Sequence, residues 1–122
     1  MTFPYNKYGN KKIEYGNQKF DSKKEASFAR QLDLLKNAHN PENKVLSYER
    51  QVKFLLQPSF VDSQGNTHQK IEYWADFVVK YEDGREEVID VKAAKNFTTD
   101  VYKIKKKLLL FKYPDINFKE EY

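Results

Sequence analysis

Apolar and polar residues alternate along two long stretches in the middle of the chain, and both stretches are predicted to be β-strands. Val52, Phe54 and Leu56 alternate along 45–56, as expected for a strand with one buried face. The centre of 71–81 is apolar on both faces, which predicts a central strand that is covered on both sides.

Apolar residues at helical spacing predict a helix on each side of these strands. The first helix begins at Asp21-Ser22 and ends within 37–40, and the second begins at Thr99 or Asp100 and ends before the next proline. The apolar stripes predicted to face the sheet are Phe28, Ala29, Leu32 and Leu35 on the first helix, and Val101, Ile104, Leu108 and Phe111 on the second.

Shorter elements complete the predicted order. They are a hairpin over 13–20 that turns at Gly16-Asn17, a strand over 87–94, a last strand over 116–118, and a polar connection over 59–69. A core order of helix, three strands, helix and strand favours an α/β fold with a mixed sheet. We expect a single domain, with 1–20 as arm and hairpin and 21–122 as core.

The composition excludes several classes of protein. The 122 residues carry a net charge of +4 and no cysteine, which permits binding to a polyanion and excludes disulfides and thiolate zinc sites. No apolar run approaches the roughly 20 residues that span a bilayer, and the N-terminus lacks the apolar stretch of a signal peptide. We expect a cytoplasmic protein without a membrane partner.

Asp90 and Lys92 are charged residues within an otherwise apolar predicted strand. Because they are two positions apart, they point to the same face. A charge in a buried strand is costly unless it is paired or binds a metal. For an isolated Asp-x-Lys, the commoner explanation is an ion pair at a sheet edge.

Asp76 lies in the apolar part of the preceding strand, and the turn between the strands decides whether it meets Asp90. A three-residue loop, 82–84, places Asp76 opposite Asp90 with their Cβ atoms about 5 Å apart. A two-residue turn at Asp83-Gly84 instead puts the carboxylates on opposite faces. A shared acidic site therefore requires the longer loop or a bulge.

Two carboxylates at that distance repel each other, and a divalent cation between them removes the repulsion. Oxygen ligands without Cys or His nearby indicate Mg²⁺ or Mn²⁺ rather than zinc. Lys92, beside such an ion, can orient an attacking water or offset the charge that builds on a phosphate. Asp76, Asp90 and Lys92 are therefore the candidate catalytic residues.

Glu25 lies within the apolar stripe of the first helix rather than opposite it. Two explanations stay open. Ser22-Lys23-Lys24-Glu25 matches a capping box, with Glu25 at the third helical position. Alternatively, the Glu25 carboxylate joins the acidic site, and both roles together are expected only if the helix begins at Asp21 or before.

The second helix is rich in lysine and has no acidic residue over 101–112. Taken alone, this pattern favours a solvated face that aids solubility. Beside a phosphodiester site, the same lysines become candidate contacts to DNA phosphates. The candidates are Lys103, Lys106 and Lys107, with Lys11 and Lys12 of the arm as weaker ones.

The remaining chemistry is limited by the residues that the chain offers. There is no Cys nucleophile, no Gly-rich phosphate loop and no Ser elbow motif. His39 and His68 lie in polar stretches without matching ligands, and we expect both to be surface residues.

These residues resemble the PD-(D/E)XK nuclease superfamily, whose pattern is an acid on one strand and then Asp or Glu, any residue and Lys on the next. Asp76 and Asp90-Val91-Lys92 match it, and Glu25 matches the glutamate that the superfamily often carries on its first core helix. Ala75 departs from the proline of the motif. The whole chain looks like a small phage-encoded group catalogued as a domain of unknown function. The similar stretches are 6–9, 11–12, 20–25, 75–77, 90–92 and 102–107.

The resemblance implies a restriction-endonuclease-like αβββαβ core and Mg²⁺-dependent hydrolysis of DNA phosphodiesters, with Mn²⁺ able to substitute. Asp76, Asp90, Glu25 and the Val91 carbonyl would bind one or two ions. It further implies phage recombination, junction resolution or DNA packaging in a bacterial host, and it allows a homodimer. The alternative is a non-catalytic DNA-binding module on the same fold, and a third option is a phage assembly factor without affinity for DNA.

Overall fold

Residues 12–93 and 98–122 are described by the computed structural model, and they form a mixed sheet with a helix on each face. In chain order the elements are β1 (Ile13–Tyr15), β2 (Gln18–Phe20), α1 (Lys23–Leu35), β3 (Val45–Gln57), β4 (Phe60–Val61), β5 (Thr67–His68), β6 (Ile71–Tyr81), β7 (Glu86–Val91), α2 (Asp100–Lys112) and β8 (Phe118–Glu121). The main sheet has the strand order β3-β6-β7-β8, and its β7–β8 pair is parallel while the others are antiparallel. The class is therefore α/β.

The predicted core order of helix, three strands, helix and strand is observed, and β6 has the predicted bounds. The first hairpin turns at Gly16 and Asn17, whose φ values of +55° and +42° are the positive values that a type I′ turn requires. Several predicted bounds were wrong. β7 ends at Val91 and α1 ends at Leu35, whereas the predicted strand continued to 94 and the predicted helix to 37–40. The stretch 59–69 forms a small hairpin, β4–β5, and β8 begins at Phe118, two residues later than predicted.

The loop between β6 and β7 has three residues, as a shared acidic site requires. The Tyr81 N–H donates to the Arg85 carbonyl oxygen at 2.9 Å, and Gly84 between them has φ +91°. The observed register of β6 with β7 ends at Phe77↔Ile89, so Asp76 and Asp90 are the next residues on the two strands. The three-residue loop is therefore confirmed.

Each face of the sheet has its own apolar core. Fully buried side chains on the α1 side are Phe20, Leu32, Phe77, Val79 and Ile89, and the buried residues on the α2 side are Tyr73, Ala75, Val78, Val88 and Leu109. Full burial of a large apolar side chain contributes about 1.5–3 kcal/mol. The two cores hold both helices against the sheet and fix the strands that carry the acidic residues.

β6 changes its packing partner at Asp76. Strand alternation would keep Ala75 and Phe77 on one face, yet Ala75 packs in the α2 core and Phe77 in the α1 core. Opposite Asp76, Gln51 of β3 has φ +52°, a left-handed value that costs a non-glycine residue roughly 1–2 kcal/mol. The sheet is therefore irregular at the pair formed by Gln51 and Asp76.

The buried face of α2 is not the predicted one. Val101, Ile104, Leu108 and Phe111 are 62%, 60%, 39% and 86% exposed. Leu109 is fully buried instead, flanked by Tyr102 and Tyr113. The prediction was wrong because the tyrosine rings can be buried while their hydroxyl groups still find acceptors, on Glu120 and on the Leu55 carbonyl oxygen.

Candidate active site

The acidic residues lie at a fork where β6 and β7 separate. The pairing of these two strands ends at Phe77↔Ile89; beyond that point β6 pairs with β3, and β7 pairs with β8. At the fork, the Val91 N–H donates to Asp76 Oδ2 at 2.8 Å. The Asp76 carboxylate thus bridges the two strands where no main-chain pairing joins them.

Asp90 is a buried carboxylate next to this bridge, only 6% exposed. The Tyr73 hydroxyl donates to its Oδ1 at 2.7 Å, and Lys92 Nζ lies 2.6 Å from its Oδ2. Lys92 meets the distance of an ion pair but not the geometry of a hydrogen bond, so Oδ2 has no hydrogen-bond partner. The ion pair that the commoner explanation of Asp-x-Lys predicts is thus present, at the end of β7 where the pairing with β6 has stopped.

Lys92 is held from the side of α2 by an aromatic ring. Its Nζ lies 3.1 Å from the centroid of the Tyr102 ring, a cation–π contact. The Tyr102 hydroxyl donates in turn to Glu120, so this tyrosine is itself oriented. The sequence did not single out Tyr73 or Tyr102, because each reaches the site through tertiary contacts that no local motif reports.

Glu25 lies at the third helical position of α1, as the capping-box pattern predicts. Ser22 is the N-cap of α1, and its Oγ accepts the Glu25 N–H at 3.1 Å. The Glu25 carboxylate is not needed for that bond, and its Oε2 is buried without a hydrogen-bond partner. A role for the Glu25 carboxylate in the acidic site stays a prediction.

The acids raise one another's proton affinity. Burial raises the pKa of Glu25 to about 7, and the nearby charge of Asp76 adds to the effect. Burial also raises the pKa of Asp76 to about 6. The Val91 N–H opposes that rise, the charge of Asp90 reinforces it, and the Gln51 side chain lowers it through a hydrogen bond. Three carboxyl groups on three elements are thus electrostatically coupled around the fork.

Cation binding would require these side chains to turn toward one another. In the parts of the chain that the structure describes, no three His, Cys, Asp or Glu side chains converge closely enough to hold a metal ion. The donor set nevertheless fits Mg²⁺ or Mn²⁺ in kind, because Glu25 carries a buried oxygen without a hydrogen-bond partner and all the candidate ligands are oxygens. Val91 contacts Asp76 through its N–H, and a role for its carbonyl oxygen stays a prediction.

The candidate DNA-binding lysines are placed differently from one another. Lys103 and Lys107 are exposed on α2, as predicted. Lys106 is turned inward, with Nζ 3.2 Å from Glu120, because α2 buries the face on which it lies. The remaining two are Lys12, which pairs with Asp21, and Lys11, which lies outside the described residues.

The two histidines are surface residues, as predicted. His39 is exposed in the stretch that follows α1. His68 is exposed on the β4–β5 hairpin, where its Nε2 lies 2.8 Å from Asp62 and its ring stacks on Phe60. Neither histidine belongs to the acidic cluster.

In metal-free solution, the free energy of unfolding is expected to fall as the pH rises from about 4 to about 7. Asp76 and Glu25 have pKa values of about 6 and about 7 in the folded protein, against usual values of 3.8 and 4.5. Their protonation therefore stabilises the fold fully at pH values below the usual pKa values. This contribution is lost as the pH rises through the pKa values of the folded protein. Thermal melts in EDTA across this range measure the effect.

The control for this pH dependence compares two neutralising substitutions. Glu25→Gln should flatten the decline in melting temperature between about pH 5 and about pH 7, whereas Glu49→Gln, at an exposed position of β3, should leave it unchanged. An equal slope in wild type and Glu25→Gln would show that Glu25 does not titrate in this range.

Taken together, the fold and these residues define an α/β protein with a partly buried cluster of acids and one lysine at a fork in its mixed sheet. The chain belongs to the family described as Protein of unknown function (DUF1064), whose model matches residues 5–120. No curated protein and no solved structure matches it. Within the residues described, there is no helix with the length and apolar character needed to cross a bilayer.

Proposed function

We propose that this protein is a metal-dependent DNA endonuclease that hydrolyses phosphodiester bonds at the fork between β6 and β7. The observation that carries the proposal is that the Asp76 carboxylate accepts the Val91 N–H at the fork, next to Asp90, and that Lys92 is paired to Asp90. The order of these residues is that of the PD-(D/E)XK pattern, and a restriction-endonuclease-like core is part of the proposal.

The residues at the fork divide the chemistry between them. Asp76, Asp90 and Glu25, with the Val91 carbonyl, would hold Mg²⁺ or Mn²⁺. The bound ion would neutralise charge on the phosphate and lower the pKa of a water. Lys92 orients the attacking water and offsets the negative charge on the phosphate oxygens. The water oxygen bonds to phosphorus as one P–O ester bond breaks, and the products are a phosphate monoester and a free hydroxyl.

α2 supplies the means to hold the DNA backbone. Lys103 and Lys107 are exposed on this helix, and Tyr102 of the same helix contacts Lys92 of the site. Phosphate contacts from such lysines position a nucleic acid without reading its sequence. The proposed substrate is therefore DNA held by its backbone, with the net charge of +4 favouring its approach.

A non-catalytic DNA-binding module is the second candidate, and one observation favours it. Asp90 is paired with Lys92, and within the described residues the acids do not yet converge as metal ligands. A protein that keeps this ion pair permanently would bind DNA with ordinary salt dependence and show no turnover.

A cleavage assay separates the two candidates. Four-way junction, flap, single-stranded and linear duplex DNA are incubated with the protein in Mg²⁺, in Mn²⁺ and in EDTA. An endonuclease should cut at least one substrate in either metal and none in EDTA, and Asp76→Asn should remove that activity. DNA binding without cleavage in both metals would favour the binding module, and absence of DNA binding would reject both.

A further inference from the structure

Trp74 is a large aromatic side chain that β6 leaves uncovered two residues before Asp76. It is 48% exposed, although its neighbours Tyr73 and Ala75 are 4% and 0% exposed. The rise of a strand puts its Cα roughly 7 Å from that of Asp76. An exposed indole therefore lies near the fork, on the part of β6 that has separated from β7, and on the sheet face opposite to Tyr73, which contacts Asp90.

Lys53 of the neighbouring strand, β3, contacts the Trp74 ring. The two residues are cross-strand partners in the β3–β6 register, and Lys53 Nζ lies 4.6 Å from the centroid of the Trp74 ring. Val52 and Phe54 pack in the α2 core, so Lys53 and Trp74 lie on the opposite face of these strands. The Trp74 ring and the Lys53 ammonium group thus lie together on one exposed surface next to the fork.

We propose that Trp74 and Lys53 bind an unpaired nucleotide of the DNA, with the base stacked on the indole ring and the phosphate contacting the lysine. Aromatic rings beside cationic groups are the usual means by which proteins hold single strands. This inference rests on the proposed function, because it concerns the DNA that reaches that site, and it narrows the substrate to DNA with unpaired nucleotides near the cut.

The alternative occupants fit the surface less well. In continuous duplex, each base face is covered by its neighbours and cannot stack on the ring without leaving the helix. In a two-fold contact between copies of this chain, the same patch meets itself, so the Lys53 ammonium groups of both copies would be brought together. Charge complementarity therefore favours a nucleic-acid strand.

The test uses the fluorescence of Trp74, the one tryptophan of the chain. The full-length protein is titrated in EDTA, which prevents cleavage, with a single-stranded oligothymidylate and separately with a linear duplex. The single strand should quench Trp74 emission and the duplex should not. Trp74→Ala should raise the Kd for oligothymidylate, measured by anisotropy of labelled DNA, by roughly tenfold or more.

Two further variants make the test specific. Trp74→Phe keeps an aromatic face and should bind within a few-fold of wild type, which also covers the case in which Trp74→Ala fails to fold. Phe111→Ala removes an aromatic side chain that is 86% exposed on α2 and should leave both the Kd and the Trp74 quenching unchanged.

Three outcomes would overturn the inference. Wild-type emission could be unaffected by a single strand that binds, or Trp74→Ala could bind as tightly as wild type. Emission could instead change with protein concentration in the absence of DNA, which would show that a second copy covers Trp74. Failure to bind any DNA would reject the proposed function itself, whereas duplex binding and Mg²⁺-dependent cleavage without quenching would reject only the role of Trp74.

Discussion

Asp90→Asn should reduce the rate of DNA cleavage by at least about a thousandfold, which corresponds to roughly 4 kcal/mol in the activation free energy. The substitution keeps the shape of the side chain and an oxygen to accept the Tyr73 hydroxyl, but it removes the charge that the proposed cation requires. The fold should therefore persist while the activity is lost. Single-turnover cleavage in saturating Mg²⁺, with circular dichroism for the fold, measures both.

The matched control for Asp90 is an aspartate of the same chain that lies outside the fork. Asp115 is exposed just after α2, and Asp115→Asn should cleave at the wild-type rate. DNA binding in EDTA should be retained by both variants, because the phosphate contacts are made by lysines. Mg²⁺-dependent cleavage that survives in Asp90→Asn would contradict the assignment of the site.

Lys92→Met should lower cleavage by roughly a hundredfold to a thousandfold, the range expected for the loss of one group that stabilises charge in the transition state. Lys92 Nζ now lies 2.6 Å from Asp90 Oδ2, so its removal also frees that oxygen. Mn²⁺ binding should therefore stay at least as tight as in wild type. Isothermal titration with Mn²⁺ and single-turnover cleavage together separate the loss of catalysis from the loss of the metal.

Lys36→Met provides the control for Lys92, since Lys36 is another lysine that pairs with an acid, Asp33, and contacts a tyrosine ring, but it lies at the end of α1. It should cleave as wild type does. If Lys92→Met also retained full activity, Lys92 would be only the structural partner of Asp90. If Lys92→Met lost Mn²⁺ binding together with cleavage, Lys92 would act by holding the metal-binding carboxylates in place and not by contacting the reacting phosphate.

The loop between β6 and β7 could be predicted from the sequence because it depends on local structure. One turn joins the two strands, and a left-handed Gly84 selects the loop length, which then fixes the register as far as Phe77↔Ile89. Asp76 and Asp90 are the residues that follow this last pair on the two strands. The existence of α1 and its cap followed equally from local signals at Ser22.

The orientation of α2 and the residues around Lys92 could not be predicted in this way. α2 carries apolar residues on more than one side, and which side is buried depends on where the tyrosine hydroxyl groups find acceptors in β3 and β8. Tyr73 and Tyr102 come from different elements and meet Asp90 and Lys92 only after the sheet and the helix have packed. The positive φ of Gln51 could not be predicted either, since nothing in the neighbouring sequence indicates a left-handed residue within a strand.

The bond from Val91 to Asp76 uses one carboxylate oxygen, Oδ2, to hold β6 and β7 together where their main-chain pairing ends. A cation bound through Oδ1 would leave this hydrogen bond in place. A cation bound through both oxygens would weaken or break it, and the two strands could then move further apart. Cation binding by Asp76 and the separation of β6 from β7 would then depend on the same hydrogen bond.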